Sequence, residues 1–218
     1  MISKMIDLAK EQPKNLSKLA VLTCVALGLS GCVGAENLAA TSEANVDADT
    51  KVVTVNGQKL TLGRAADYCF NDRQSRFTAT GAFVVLVPCD PLDEGSLAKG
   101  LILVNVLADQ GMMDAINTRE LEAYFQSDAG RTALSRRAKP ESLTLLGTMQ
   151  DDGVYYVHTT DADGPVIPDT TNDQWRAFMV VKDRLVSVSV VNFLDDKMTD
   201  GQVFAHMEAV ALRIKSLN

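Results

Sequence analysis

Alternating apolar and polar positions predict a β-hairpin near the start of the folded part of the chain. When the two arms are paired across Asn56 and Gly57, Val53 faces Leu60. Asn-Gly readily supplies the positive φ angles that a two-residue turn needs, so this dipeptide between alternating apolar residues is a strong hairpin signal. We therefore predict two antiparallel strands over residues 51–62.

A short segment over residues 77–80 and two longer apolar runs predict further strands. Residues 82–87 form a continuous, largely β-branched run that ends at Pro88, which is typical of a strand buried on both faces. Residues 101–107 form a second run, which fits either a strand or a buried helix because periodicity does not separate the two at this length. Four later segments alternate clearly as two hairpins: Leu143–Gln150, Val154–Thr160, Gln174–Val181 and Arg184–Phe193.

Cap signals predict three helices. Asn117 followed by Glu120 predicts a first helix, and a second is expected after Ser127, running to Arg137. The last helix begins at a capping box formed by Thr199 and Gln202. Its apolar positions recur at spacings of four and three, a stripe that packs on a sheet: Val203, Met207, Val210, Ile214 and Leu217.

The order of these elements predicts one α+β domain over residues 51–218, with an antiparallel sheet of about six to seven strands covered by helices. This order, together with the final hairpin and the helix that ends in Ile214-Lys215-Ser216-Leu217, resembles the Mog1/PsbP-like fold. The resemblance implies an α/β/α sandwich and a class of mostly accessory or binding proteins. It transfers no site residues.

The first residues of the chain have the pattern of an export signal. A lysine-containing segment precedes an uncharged run over residues 19–29, the length of a signal-peptide core. The run ends in Leu29-Ser30-Gly31-Cys32, which resembles the lipobox of bacterial lipoproteins. The alternative is an uncleaved signal anchor.

The lipobox resemblance implies a signal peptide over residues 1–31, cleavage before Cys32, and a diacylglycerol and a fatty acid such as palmitate on Cys32. Val33 rather than Asp after the cysteine implies the outer membrane, facing the periplasm, if the organism is Gram-negative. Residues 32–50 are small and polar, typical of a flexible tether. The expected partner is therefore a membrane, reached through the lipid on Cys32.

The remaining cysteines indicate a disulfide. With Cys24 in the leader and Cys32 lipidated, Cys69 and Cys89 are left as one pair in a compartment where disulfides persist. Two free thiols or a metal pair are the alternatives, but a zinc site needs four ligands. We favour the disulfide.

Composition excludes some functions. The net charge is −7 and the leader is basic, so the rest of the chain is more acidic still. Such a chain gains nothing from counterion release on a polyphosphate, and nucleic acid is a poor partner. No phosphate-binding glycine motif and no Gly-x-Ser-x-Gly motif occur, so we predict no cofactor and favour a role other than an enzyme's.

The candidate chemistry is sparse. His158, on the apolar face of a strand, is expected to be structural, and His206 to be solvated. Oxygen ligands at Asp161, Asp163 and Asp169 are candidates for calcium, although a full calcium loop has further ligands; a solvated acidic turn is the alternative. The loop 161–173 is where binding residues are expected to concentrate.

Two further groups have a structural and a functional interpretation. A basic patch is either the wet face of a helix or a docking site for an anionic partner: Arg131, Arg136, Arg137 and Lys139. Trp175 with Tyr155 and Tyr156 either lines a pocket or packs in the core.

From these patterns we expect a lipid-anchored binding or accessory protein of the cell envelope, with a partner protein there. The alternatives are a calcium- or anion-binding protein that uses loop 161–173, and an envelope hydrolase with a site that no motif marks.

Overall fold

A computed structural model describes residues 49–90, 95, 97–108, 118–165 and 167–218. Within these residues the chain forms strands and helices in the order of an α+β protein. The strands are Thr50–Val55 (β1), Gln58–Gly63 (β2), Tyr68–Phe70 (β3), Arg76–Thr78 (β4), Gly81–Pro88 (β5), Leu101–Ala108 (β6), Leu143–Asp151 (β7), Val154–Asp161 (β8), Asp173–Val181 (β9) and Arg184–Val191 (β10). The helices are Thr118–Gln126 (α1), Asp128–Leu134 (α2) and Asp200–Ser216 (α3), with a 3-10 turn at Pro140–Ser142.

An eight-stranded antiparallel sheet forms the centre of this fold. Its strands lie in the order β3-β5-β6-β10-β9-β8-β7, and β4 also pairs with β5. The prediction of six to seven strands was too low for the sheet, because β3 has only three residues and is too short to show a period. The run 101–107 is a strand, β6, which pairs with β5 and β10.

The predicted hairpin is confirmed, but it forms a two-stranded sheet of its own. Val53 is opposite Leu60 in β1 and β2, and Asn56 and Gly57 have φ angles of 48° and 74°. The apolar face of the hairpin is buried, with β1 against β5 and β6 and β2 against α3. The hairpin therefore acts as a cover for one face of the large sheet.

Helix α3 covers the same face, which we call the inner face. The capping box at Thr199 and Gln202 is present as predicted. The apolar stripe of the helix is buried with the inner residues of the central strands, including Val186, Val188 and Val190. The hydrophobic burial of this layer is the main stabilising contribution to the domain.

The first two helices lie on the opposite, outer face, at the end of the sheet formed by β7 and β8. Leu121 and Phe125 of α1 and Leu134 of α2 pack with Tyr155 and Val157 of β8. The helices therefore lie on both faces of the sheet, as the sequence predicts.

The predicted boundaries of these two helices are only partly correct. Ser127 caps α2 by accepting a hydrogen bond from the Gly130 amide, as expected. The helix ends at Leu134 and not at Arg137, because Ser135 adopts an extended backbone and the next amide binds Asp161 instead. Asn117, the predicted cap of α1, lies outside the described residues.

Candidate functional site

The predicted lipidation site, Cys32, and the rest of residues 1–48 lie outside the described residues. Within the described part of the chain, no helix is both long enough and apolar enough to cross a membrane.

The predicted disulfide between Cys69 and Cys89 is present, with the two Cα atoms 4.9 Å apart. Cys69 lies in β3, opposite Val87, and Cys89 follows directly after β5. The Cys89 amide also donates to the Asp67 carbonyl at 2.8 Å. The bond therefore fastens a three-residue edge strand to its longer neighbour, where few ladder hydrogen bonds are available to do so.

His158 lies on the inner face of the sheet with Tyr156, as the alternation of residues along its strand predicts. Its ring stacks on Trp175 with centroids 4.3 Å apart and an interplanar angle of 9°. Trp175 in turn meets Phe204 of α3 edge to face at 5.3 Å. Nε2 of His158 is buried and has no hydrogen-bond partner among the described residues. The ring stacking on Trp175 favours the packing role that the sequence predicts.

His206 was predicted to be solvated, and this prediction is wrong. Its ring is half-buried, Nε2 lies 2.9 Å from the Leu97 carbonyl oxygen, and the ring meets Tyr68 edge to face at 5.2 Å. The Tyr68 hydroxyl donates to the Lys99 carbonyl at 2.5 Å, and burial raises the pKa of Tyr68 to about 12. The prediction missed these contacts because Leu97 and Tyr68 are distant from His206 in the sequence.

The three aromatic residues proposed as a pocket lining do not share one face. Trp175 and Tyr156 are on the inner face, whereas Tyr155 packs under α1 on the outer face. A cavity of about 10 Å³ does lie beside Trp175, bounded by Asn192 and Asp200 among others. That volume is room for a single water molecule, not for a substrate.

The three aspartates considered for calcium have separate environments. Asp161 is buried, and its carboxylate accepts hydrogen bonds from the hydroxyls of Ser135 and Ser142 and from the amides of Arg136 and Asp163. Burial by itself raises the pKa of Asp161, but these four hydrogen bonds outweigh it and hold the pKa below its usual range.

The other two aspartates point elsewhere. Asp163 forms an ion pair with Lys139 at 2.8 Å, and Asp169 is exposed with a φ of 60°. Among the described residues, no group of three or more His, Cys, Asp or Glu side chains is arranged to hold a metal ion.

The four residues of the predicted basic patch also have separate environments. Arg131 pairs with Asp128, Lys139 pairs with Asp163, and Arg137 is exposed. Arg136 instead turns inward, and both of its terminal nitrogens donate to the Thr171 carbonyl at 3.3 Å. The four residues therefore do not form one surface for an anionic partner.

Arg136 belongs instead to a cluster that the sequence analysis missed, whose second member is Arg176. Arg176 lies on the outer face of β9, opposite Val157 of β8 and Ser189 of β10. It is half-buried, and its Nη2 donates to the Gln174 side-chain oxygen at 2.7 Å. The signal was available, since an arginine between apolar strand residues is unusual, but the strand pattern alone does not say what lies over it.

The two guanidinium groups lie close enough to repel each other. Burial lowers the pKa of Arg176 to about 10, with Arg136 lowering it further and Asp161 opposing the shift. Burial also lowers the pKa of Arg136, against the attraction of Asp161 and Asp173. We call Arg136, Arg176 and Asp161 the arginine cluster.

No protein-family model matches this chain, and no curated protein matches its sequence. The role of the cluster is therefore inferred from its own geometry and chemistry.

Proposed function

We propose that this chain is a lipid-anchored binding or accessory protein of the cell envelope. The observation that carries the proposal is the Cys69–Cys89 disulfide. Structural disulfides persist in oxidising compartments outside the cytosol, so the bond supports export, which is the step that a lipobox ending in Cys32 requires. The two signals come from different parts of the chain and support the same compartment.

The position of the folded part agrees with a tether. The first strand begins at Thr50, where the small, polar segment 32–50 ends. A tether of that composition leaves the domain free to reach a partner at the membrane surface. In a Gram-negative organism the proposed location is the periplasmic side of the outer membrane.

The fold supports a Mog1/PsbP-like relationship as part of the same proposal. An antiparallel sheet with helices on both faces has the layer order that this fold implies. Proteins of that class are mostly accessory or binding proteins, which fits a chain in which both histidines make packing contacts.

The anchor is tested on protein purified from membranes. We expect mass spectrometry to find a mature chain that begins at an acylated Cys32, and labelled palmitate to be incorporated. Cys32→Ser should abolish both processing and label. The matched control Cys24→Ser changes the leader cysteine that is discarded, and it should leave both unchanged. A native protein that still begins at Met1, or that carries an unmodified Cys32, contradicts the proposal.

The binding role is tested separately by crosslinking in intact cells before purification. We expect the wild-type protein to capture a specific envelope protein and the Cys32→Ser variant to capture less, because the tether no longer holds the domain at the membrane. Capture of no partner by the acylated protein counts against the accessory role and leaves the anchor result intact.

A further inference from the structure

Arg136 and Arg176 have more hydrogen-bond donors than the fold uses. Each guanidinium presents five N–H groups in a planar fork. Arg136 directs its terminal nitrogens at one carbonyl oxygen, and Arg176 has one hydrogen bond to a neutral amide oxygen. Neither forms an ion pair with a carboxylate of the described residues.

We propose that Arg136 and Arg176 form a binding site for a small oxyanion, a carboxylate or phosphate group of a ligand. Arg136 donates to the Thr171 carbonyl and Arg176 to the Gln174 side chain, so both guanidinium groups reach the same short segment at the start of β9. Guanidinium forks bind such groups through paired, charge-assisted hydrogen bonds. Both side chains are half-buried and so reach the surface while being partly removed from water. The site does not depend on the lipid anchor.

The nearby carboxylates do not satisfy the two arginines. Asp161 attracts both of them, yet its two oxygens already accept four hydrogen bonds from hydroxyls and amides. Asp173, the other acidic neighbour of Arg136, is exposed, where water and salt weaken its effect. An incoming anion would therefore meet two cations whose repulsion is only partly compensated.

The surroundings of Arg176 also suit a polar ligand. Ser189 lies directly opposite it on the neighbouring strand β10, on the same face of the sheet. This pairing places a small hydroxyl residue, and not a bulky apolar one, beside Arg176.

The site has a matched control in its own sequence. Arg137 follows Arg136 directly but is exposed, and it has no role in the cluster. Arg176→Gln and Arg136→Gln each remove one charge from the site, and Arg137→Gln removes one charge beside it. A long-range effect of net charge would be similar in all three variants, whereas a local site distinguishes them.

The experiment is calorimetric titration of the full chain, purified in detergent, with inorganic phosphate and with succinate at constant ionic strength. We expect saturable binding of at least one probe, weakened about tenfold or more by Arg176→Gln and by Arg136→Gln, because a hydrogen bond to a charged group is lost. Arg137→Gln should stay within about twofold of the wild type. Binding of phosphate alone identifies a phosphate site, and binding of succinate alone a carboxylate site.

Arg176→Lys keeps the charge and removes the fork, so it should bind more weakly than the wild type while remaining folded by circular dichroism. This variant and Arg136→Gln decide the question if Arg176→Gln does not fold. No saturable binding of either probe to the wild type overturns the proposal, as does equal weakening by Arg137→Gln and the two cluster variants.

Discussion

The ammonium group of Lys51 lies 5.4 Å from the centre of the Phe77 ring and so links the β1–β2 hairpin to the large sheet. The same group is 5.9 Å from the Phe70 ring and forms an ion pair with Asp72 at 2.5 Å. Lys51 is only 5% exposed. A buried lysine is stable only when its charge is compensated, and here two aromatic faces and one carboxylate do so.

Two substitutions of Lys51 distinguish the stabilisation that comes from its charge from that of its buried aliphatic stem. Lys51→Met keeps the buried stem and should lower the free energy of unfolding by about 1 kcal/mol, through loss of the cation–π contacts. Lys51→Ala also removes the buried stem and should cost about 2 kcal/mol or more. Urea unfolding followed by circular dichroism measures both. If Lys51→Met and the wild type have equal free energies of unfolding, the cation–π contacts of Lys51 do not stabilise the domain.

The carboxylate of Asp161 should be worth a large fraction of the stability of the domain. Asp161→Asn replaces an acceptor of four hydrogen bonds by a group with only one acceptor oxygen, and the amides of Arg136 and Asp163 cannot reorient. We expect a loss of about 2–3 kcal/mol. Asp173→Asn, at an exposed position nearby, is the control and should change stability by less than about 0.5 kcal/mol.

The same carboxylate predicts a pH dependence. Its pKa is lower in the folded than in the unfolded state, so its contribution is complete above the unfolded pKa of about 3.9 and is lost as the pH falls through the lower folded value. The stability difference between the wild type and Asp161→Asn should therefore narrow below about pH 4. Unfolding curves from pH 7 down to pH 3 test this, and a difference that stays constant over that range contradicts it.

Breaking the Cys69–Cys89 bond should destabilise the domain without changing its fold. The two cysteines are separated by 20 residues, and closing a loop of that size is worth about 3 kcal/mol in the chain-entropy model. We expect a Cys69→Ser, Cys89→Ser double variant to melt at a lower temperature than the wild type and to be insensitive to reductant. The wild type should approach it when reduced. If the non-reduced protein exposes two alkylatable thiols at these positions, the bond does not form.

His158 should tolerate an apolar aromatic replacement. Its Nε2 is buried without a partner among the described residues, so His158→Phe removes an unsatisfied polar atom and keeps a ring against Trp175. We expect the free energy of unfolding to stay within about 1 kcal/mol of the wild type or to rise. Trp175 is the single tryptophan of the chain, so its fluorescence reports the transition directly. His158→Ala is the cavity-forming comparison and should cost more.

Local signals in the sequence were sufficient for most of the secondary structure. The turn at Asn56-Gly57, the cap at Ser127 and the capping box at Thr199 depend on residues within a few positions of each other, and all three are present. The strands that were missed or ambiguous, β3 and β6, are those for which no local rule distinguishes the alternatives.

The disulfide was predicted correctly for a different reason. The sequence left one pair, Cys69 and Cys89, once Cys24 had been assigned to the predicted leader and Cys32 to the predicted lipid anchor, and no geometry was needed to join them. The same reasoning applied to aspartates failed to describe their environments, because carboxylates can bind hydroxyls, amides and cations as well as metal ions. Asp161 binds four such donors.

The sequence by itself determined the α+β class, the final hairpin and helix, and the disulfide pair, whereas the lipobox-like pattern that ends in Cys32 stays a prediction. Each confirmed feature depends on residues that are close together in the sequence or on the number of cysteines. Only the tertiary structure decided that Arg136 meets Thr171 and that His206 meets Leu97. These contacts depend on which strands become neighbours in the sheet and which loops cross its ends. Many arrangements of the same local elements satisfy the turn, period and cap rules equally well, and packing of the whole chain selects among them.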